Sequence, residues 1–329
     1  MKKNIVFTTL ALIIALSLSA RASALKPEHV AKDAKWVLHF DNDTFKASQF
    51  GVFLQDNNNL PEKTMKRQLE KMAEQFGFDP WQDFAALVIY GTDLLSPFQT
   101  VSLFYGNFDN ALIEKTLQEK EDLQKVEYAG HKLFGIKAGM RNRARRGHEK
   151  APSKRLEPRR NWVSLHSKNI IVFGRSEESV KKAMDVIDGR EVSILRDDHL
   201  IVGARATEGS FLFVRADLAD GNAMVRSNPV LNTVDFVDIV IAEQNGAMNG
   251  NFVFKAEDAD KAAAIAVGIE GMIAFGTLSA TQNPVLSLIA ESSKVSVADD
   301  MVVVAFSTEI ADLSKLVLDA ITARMGRGF

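Results

Sequence analysis

The sequence contains no cysteine, and this absence excludes several kinds of site at once. Disulfides, thiolate zinc sites, cysteine-held iron–sulfur clusters, cysteine nucleophiles and lipid attachment through a cysteine all require a sulfur atom. Proline is scarce, with 8 in 329 residues, and neither sign of charge predominates, with 40 Lys+Arg against 42 Asp+Glu. Because 46% of the residues are hydrophobic, the composition argues against a disordered or collagen-like chain and predicts about two globular domains.

Motifs that identify catalysis or cofactor binding by their spacing are also missing. There is no GxxxxGK[ST] phosphate loop and no GxGxxG between a strand and a helix. Neither a GxSxG nucleophile elbow nor an HExxH helix occurs, and the six histidines are scattered without paired ligand spacing. The sequence therefore predicts no cofactor and identifies no reaction.

The N-terminus has the three parts of a secretory signal in the usual order. Lys2 and Lys3 precede an apolar stretch from Ile5 to Leu18, and the small residues Ala22 to Ala24 offer a cleavage site. Arg21 ends the apolar run before the roughly 20 residues that a membrane span requires. We expect cleavage after residue 24, export to the periplasm, cell surface or medium, and a mature net charge of −5.

One later segment is strongly apolar. Residues Ala259 to Phe275 are rich in alanine but include Asp260, Lys261 and Glu270. This composition predicts a buried helix in a soluble core, so the mature chain is expected to have no transmembrane helix.

Strand hairpins followed by capped helices recur along the chain, with Asp109 and Ser176 as predicted N-caps. Residues Asn169 to Glu177 align with Met301 to Glu309, which indicates a repeated strand–strand–helix unit. The predicted fold class is α+β, with two related halves of antiparallel sheet, helices packed on one face, and repeated ββα units. The expected divisions are a signal peptide at 1–24, a first half at 25–195 with a basic insertion at 140–160, and a second half at 196–329.

Three further segments carry a family resemblance. They are Ala34 to Asp41, the bend Phe76 to Pro80 before Leu87 to Thr92, and Gly174 to Glu177 before a helix. With these segments the chain resembles a loose family of exported proteins, without a known activity, from planctomycete-type bacteria and their relatives. The resemblance implies the fold with its repeated unit, and it implies no enzyme, cofactor or site. The basic stretch is an insertion on that pattern.

His39, Asp41 and Asp43 are the best metal or acid–base candidates. Side chains two apart on a strand share a face, so His39 and Asp41 could converge on one cation, with Asp43 joining from the following loop. The competing interpretation is structural: Asp41 ends the strand in a turn, Asp43 caps a helix, and His39 is an ordinary half-buried residue.

The segment from Met140 to Arg160 departs most from the average composition. Its nine cationic residues against two acidic ones give it a net charge of +7, which leaves −12 on the rest of the mature chain. The candidate anion-binding residues are Arg141, Arg143, Arg145, Arg146, Lys150, Lys154, Arg155, Arg159 and Arg160. A mobile insertion and a contact with lipid headgroups, an anionic polysaccharide or an acidic protein are the open alternatives. Export and the lack of interleaved aromatic residues argue against nucleic acid.

Two functions remain open from the sequence. One is a non-catalytic binding or envelope-associated protein whose basic loop contacts anionic surfaces. The other is a metal-dependent or acid–base hydrolase that uses His39, Asp41 and Asp43.

Overall fold

The computed structural model describes residues 25–56, 78–79, 81–94, 96–137, 160–194, 200, 209–219, 231–278 and 284–326. The predicted signal peptide and the basic residues from Arg141 to Arg159 lie outside these ranges.

Twelve strands form one antiparallel sheet in the order β11-β12-β10-β9-β8-β1-β2-β3-β7-β6-β5-β4. The strands are β1 (Trp36–Asp41), β2 (Phe84–Gly91), β3 (Thr100–Gly106), β4 (Gln124–Tyr128), β5 (His131–Lys137), β6 (Arg160–Ser167), β7 (Ile170–Gly174), β8 (Ser210–Asp217), β9 (Val234–Gln244), β10 (Ala247–Ala256), β11 (Ser293–Ala298) and β12 (Met301–Glu309).

The sheet passes without a break from one predicted half to the other. β1 pairs with β2 on one side and with β8 on the other, so Leu38 has Ile89 and Val214 as its cross-strand neighbours. Both halves therefore share one sheet, and β1 lies at its centre.

Seven α-helices lie within the described residues. They are α1 (Asn42–Ala47), α2 (Gln49–Gln55), α3 (Asn110–Gln118), α4 (Glu177–Ile187), α5 (Ala259–Leu278), α6 (Pro284–Ser292) and α7 (Ile310–Gly326). Two predicted N-caps are confirmed. Asp109 accepts hydrogen bonds from the first turn of α3, and Ser176 accepts one from the amide of Ser179 in α4.

The helices cover both faces of the sheet, whereas the sequence pattern predicted them on one face. The reason lies in β7, whose consecutive residues Ile171 and Val172 are both buried. Ile171 packs with Ile113 of α3, and Val172 packs with Val180 of α4. Since neighbouring strand residues point to opposite faces, α3 and α4 lie on opposite sides. A strand with a continuous run of apolar residues thus indicates a sheet that is covered on both faces.

At the other end of the sheet, α5 packs on strands β10, β11 and β12. Ile265 and Ile269 contact a cluster that includes Val302 and Val304. The order of strand and helix is the same in β7–α4 as in β12–α7. The α+β class with antiparallel sheet is confirmed, and superposition of the two ββα units stays a prediction.

Candidate functional site

The predicted metal ligands His39, Asp41 and Asp43 are not among the described groups whose ligand atoms lie close enough to hold one ion. The side chain of Asp41 accepts hydrogen bonds from the amide and the hydroxyl of Thr44, each 2.9 Å long, and is the N-cap of α1. Asp43 lies inside the first turn and pairs with Lys46 at 2.8 Å, so the predicted capping role belongs to Asp41. His39 is buried on β1. This arrangement favours the structural interpretation of the trio.

Of the nine candidate anion-binding residues, Arg160 is the one that the structure describes. It begins β6, and its guanidinium donates to the backbone carbonyls of Asp122 and Gly135. Arg160 therefore joins neighbouring backbone segments at the end of the sheet. The remaining eight, from Arg141 to Arg159, lie outside the described residues.

The helix α5 is apolar on two opposite faces. Its inner face packs on the sheet and on α6, and its buried members are Ala262, Ile265, Ala266, Ile269 and Gly276. Its outer face consists of residues three and four apart that are exposed to solvent: Ala264, Val267, Gly268, Gly271, Met272, Phe275 and Leu278. The four large side chains of this outer face are between 64% and 82% exposed.

The prediction of a buried helix is therefore wrong for one of its two faces. Among the described helices, α5 is the one long and apolar enough to cross a membrane, with a mean hydropathy of 1.4 over 18 residues. Core helices of soluble proteins also have such a composition, but they are mostly buried. In α5, 28% of the 18-residue apolar stretch is buried. Composition alone could not reveal the exposure, because both faces of the helix are equally apolar.

The charged residues of α5 lie almost entirely at its N-terminus. Lys261 donates its amide to Asp258, and this hydrogen bond is the main cause that lowers the pKa of Asp258. The hydrogen bond to Glu257 raises the pKa of Lys261. From Ala262 to Leu278, Glu270 is the one charged residue. The outer face is thus about 20 Å of helix that carries almost no charge.

The helix α6 extends the exposed apolar surface. Leu286 of α6 is 45% exposed. A Cβ atom placed on Gly276 would lie 3.0 Å from the Cβ atom of Ala290, so the absence of a side chain lets the two helices approach closely. The outer face is therefore carried on a packed helix pair.

A polar cluster that the sequence analysis did not identify lies at the opposite end of the sheet. The Nε2 atoms of His131 and His166 lie 3.2 and 2.8 Å from the two carboxylate oxygens of Asp188. The two imidazoles stack, with centroids 4.3 Å apart. Among the described residues, these three form the one group of His and acidic ligands whose donor atoms all lie within 4.8 Å of one another.

Burial and charge act in opposite directions on this cluster. Burial lowers the pKa of His166, although its hydrogen bond to Asp188 opposes the change. Burial alone would raise the pKa of Asp188, but the hydrogen bond from His166 and the charge of Arg190 outweigh it and hold the pKa below its usual value. Asp188 is therefore a carboxylate at neutral pH.

No protein-family model and no curated protein matches the chain. Among solved structures, crystal form III of TP0453 is similar, with a TM-score of 0.50 at 9% sequence identity, over 91% of this chain and 99% of that one. Crystal form IV of TP0453 has a TM-score of 0.46 at 8% identity, over 91% and 98% of the two chains. At such identity the likeness to crystal form III shows a shared α+β fold and nothing about activity.

Proposed function

We propose that the protein is an exported, non-catalytic, envelope-associated protein that lies on a lipid bilayer through the outer face of α5. The observation that supports this proposal is the exposure of Val267 (68%), Met272 (64%), Phe275 (72%) and Leu278 (82%) along one helix face. Soluble monomers rarely expose contiguous apolar side chains in this way, and such patches are typical of protein or membrane contacts.

The chemistry of the outer face favours lipid over a protein partner. Protein interfaces carry about one hydrogen bond per 100–200 Å² and usually a polar rim. From Ala262 to Leu278 the polar side chains are those of Glu270 and Thr277, and the Thr277 hydroxyl already donates to the carbonyl of Ala274. A protruding apolar ridge offers few groups for specific pairing, and an acyl-chain boundary requires none.

The apolar area is sufficient for reversible attachment. Burying one large aliphatic or aromatic side chain contributes about 1.5–3 kcal/mol. Because the four side chains are 64–82% exposed, burying what remains in water contributes roughly 4–9 kcal/mol before the cost of immobilising the protein. Glu270, on the flank of this face, stays at the level of the headgroups.

The basic segment, which connects β5 to β6 at the other end of the sheet from α5, supplies a second and separate attraction to the bilayer in this proposal. A single apolar anchor gives weak, reversible binding, and a polybasic segment strengthens it on anionic lipid. The cationic residues from Arg141 to Arg159 supply that charge, so salt should weaken binding to anionic vesicles and affect neutral vesicles much less.

Vesicle flotation with two matched triple variants tests the proposal. One variant replaces Val267, Met272 and Phe275 by Ser on the outer face of α5. The control replaces three exposed apolar residues elsewhere, Val52, Leu112 and Val192, which are 56%, 48% and 62% exposed. We expect the mature chain and the control to float with neutral phosphatidylcholine vesicles, and the α5 variant to lose at least about tenfold in binding.

Two results would contradict membrane docking. One is equal flotation of the α5 variant and the control. The other is a wild-type protein that does not float but dimerises through this face, with dimerisation lost in the α5 variant.

A further inference from the structure

We propose that His131, His166 and Asp188 bind one late first-row transition-metal ion, represented by Zn²⁺. This site is independent of the outer face of α5. It lies at the other end of the sheet, and the proposal stands on its geometry and its ligand chemistry.

The fold brings the two histidines together from distant parts of the sequence. β5 and β6 pair with Leu133 opposite Ser164, so two residues further on His131 lies opposite His166 on the same face. The helix α4 packs on that face, as Val180 and Met184 share a core cluster with Leu133. Asp188 follows the last residue of α4 and is its C-cap.

The donor atoms lie close enough together to converge on one ion. Zinc binds imidazole nitrogen at about 2.0–2.1 Å, so the donor atoms of a tetrahedral site lie about 3.3 Å apart. The Nε2 atoms of His131 and His166 lie 3.2 and 2.8 Å from different oxygens of Asp188, and the two rings are stacked. An ion bound by both imidazoles and one carboxylate oxygen therefore requires a rotation of the carboxylate and a wider spacing of the rings. The Nε2 proton of each neutral imidazole moves to Nδ1 when the ion binds. Two imidazoles and a carboxylate are the donors of many zinc sites, and they leave a fourth position for water.

The partial exposure of His131 and Asp188 gives an ion a path to the three side chains. The side chains of His131 and Asp188 are 22% and 21% exposed, while that of His166 is 9% exposed. The Nδ1 atom of His166 is buried without a hydrogen-bond partner. When an ion binds Nε2, the proton of the neutral imidazole lies on Nδ1, so this buried atom changes from an acceptor without a partner to a donor without one.

Arg190 is the group that opposes a cation. Its Nη2 atom lies 2.8 Å from Asp188, and its Nε atom lies 2.7 Å from Asp185. Asp185 also accepts a hydrogen bond from Tyr128 at 2.7 Å. The guanidinium is 42% exposed, so it can turn toward Asp185 when an ion binds. Its charge nevertheless weakens the site, and removing it should tighten binding.

Isothermal titration with Zn²⁺, using the untagged mature chain, tests the site. We expect one ion per chain at pH 7.5 and weaker binding at pH 6, because both imidazoles must be neutral. His131→Gln and Asp188→Asn should each weaken binding at least about tenfold. Arg190→Gln should strengthen it by about fivefold or more. The matched control is His29→Gln, whose imidazole hydrogen-bonds Tyr105.

Co²⁺ gives a second readout, because a tetrahedral nitrogen and oxygen site has a visible absorption that surface binding lacks. Absence of saturable one-to-one binding would overturn the proposal, as would His131→Gln binding Zn²⁺ like the wild type. Since His131 lies at the start of a strand and is partly exposed, this variant keeps the test decisive even if Asp188→Asn fails to fold. Failure of this test leaves the vesicle result unaffected.

Discussion

The helices α4 and α5 both pack on the central sheet, but their outward faces differ. α4 buries Val180, Ala183 and Met184 against the sheet. Its outward side chains are charged and paired, with Lys181 2.6 Å from Glu177. α5 buries a comparable inner face, yet its outward face consists of large apolar side chains.

The comparison of α4 and α5 shows which helix faces are needed for folding and which are not. Both inner faces are explained by the core they complete. A charged outward face, as in α4, is the ordinary result for a helix in contact with water. The large side chains on the outward face of α5 are 64–82% exposed, and the membrane contact proposed above would account for their apolar character.

Substitutions on the inner faces of α4 and α5 should cause the largest losses of stability, and these losses should be similar in the two helices. Met184→Ala and Ile265→Ala each remove a side chain that is at most 2% exposed. Each should lower the free energy of unfolding by about 2–5 kcal/mol. Urea unfolding measures both, and a loss below about 1 kcal/mol for Ile265→Ala would show that α5 is not an integral part of the core.

Glycines on the two faces of α5 provide a sharper contrast. An added Cβ at Gly276 meets Ala290 at 3.0 Å, whereas Gly268 has no atom within 4 Å of that position. Gly276→Ala should therefore destabilise by about 1–3 kcal/mol through overpacking. Gly268→Ala should stabilise by about 0.5–1 kcal/mol because alanine favours the helix. Thermal unfolding should show a lower melting temperature for Gly276→Ala and a higher one for Gly268→Ala.

Acid should affect the end of the sheet that carries α4 before the end that carries α5. Burial, and then the charge of Lys26, lower the pKa of His29 below its ordinary value of 6.5. His29 therefore binds a proton more readily in the unfolded chain than in the folded one. The free energy of unfolding keeps its full value above pH 6.5 and decreases as the pH falls below 6.5. Hydrogen exchange between pH 7.5 and 5.5 should show faster opening around β3 and α4. His29→Gln should reduce that dependence, and no change in it would contradict this assignment.

The smallest expected effect is on the outer face of α5. In the absence of lipid, Val267→Ser should change the free energy of unfolding by no more than about 0.5 kcal/mol, because the side chain is already in water. Val192→Ser, at a similarly exposed position, is the control. A loss near that of Ile265→Ala would mean that Val267 is covered within the molecule.

Strands and helix caps could be predicted from the sequence where residues close together in the chain determine them. The hairpin strands and the caps Asp109 and Ser176 follow from alternation and side-chain hydrogen bonding, and the structure confirms them. The Asp41 cap was assigned to Asp43, because either aspartate can begin a helix and only the backbone geometry decides between them.

The longer-range features could not be predicted in the same way. His131 and His166 meet because β5 pairs with β6 across the basic segment, and no local pattern specifies that pairing. Likewise, the apolar composition of α5 predicts a buried face but does not say how many faces are covered. Both candidate sites thus depend on strand order and packing between distant segments.

A fluorescent probe on α5 tests membrane docking most directly. Since the chain has no cysteine, Met272→Cys creates a unique attachment point for an environment-sensitive fluorophore, and Val192→Cys is the matched control. Docking through the outer face of α5 predicts that neutral vesicles shift the emission of the probe at position 272 to shorter wavelength and leave the probe at position 192 unchanged. An unchanged spectrum at position 272, under conditions where the protein floats with the vesicles, would contradict it.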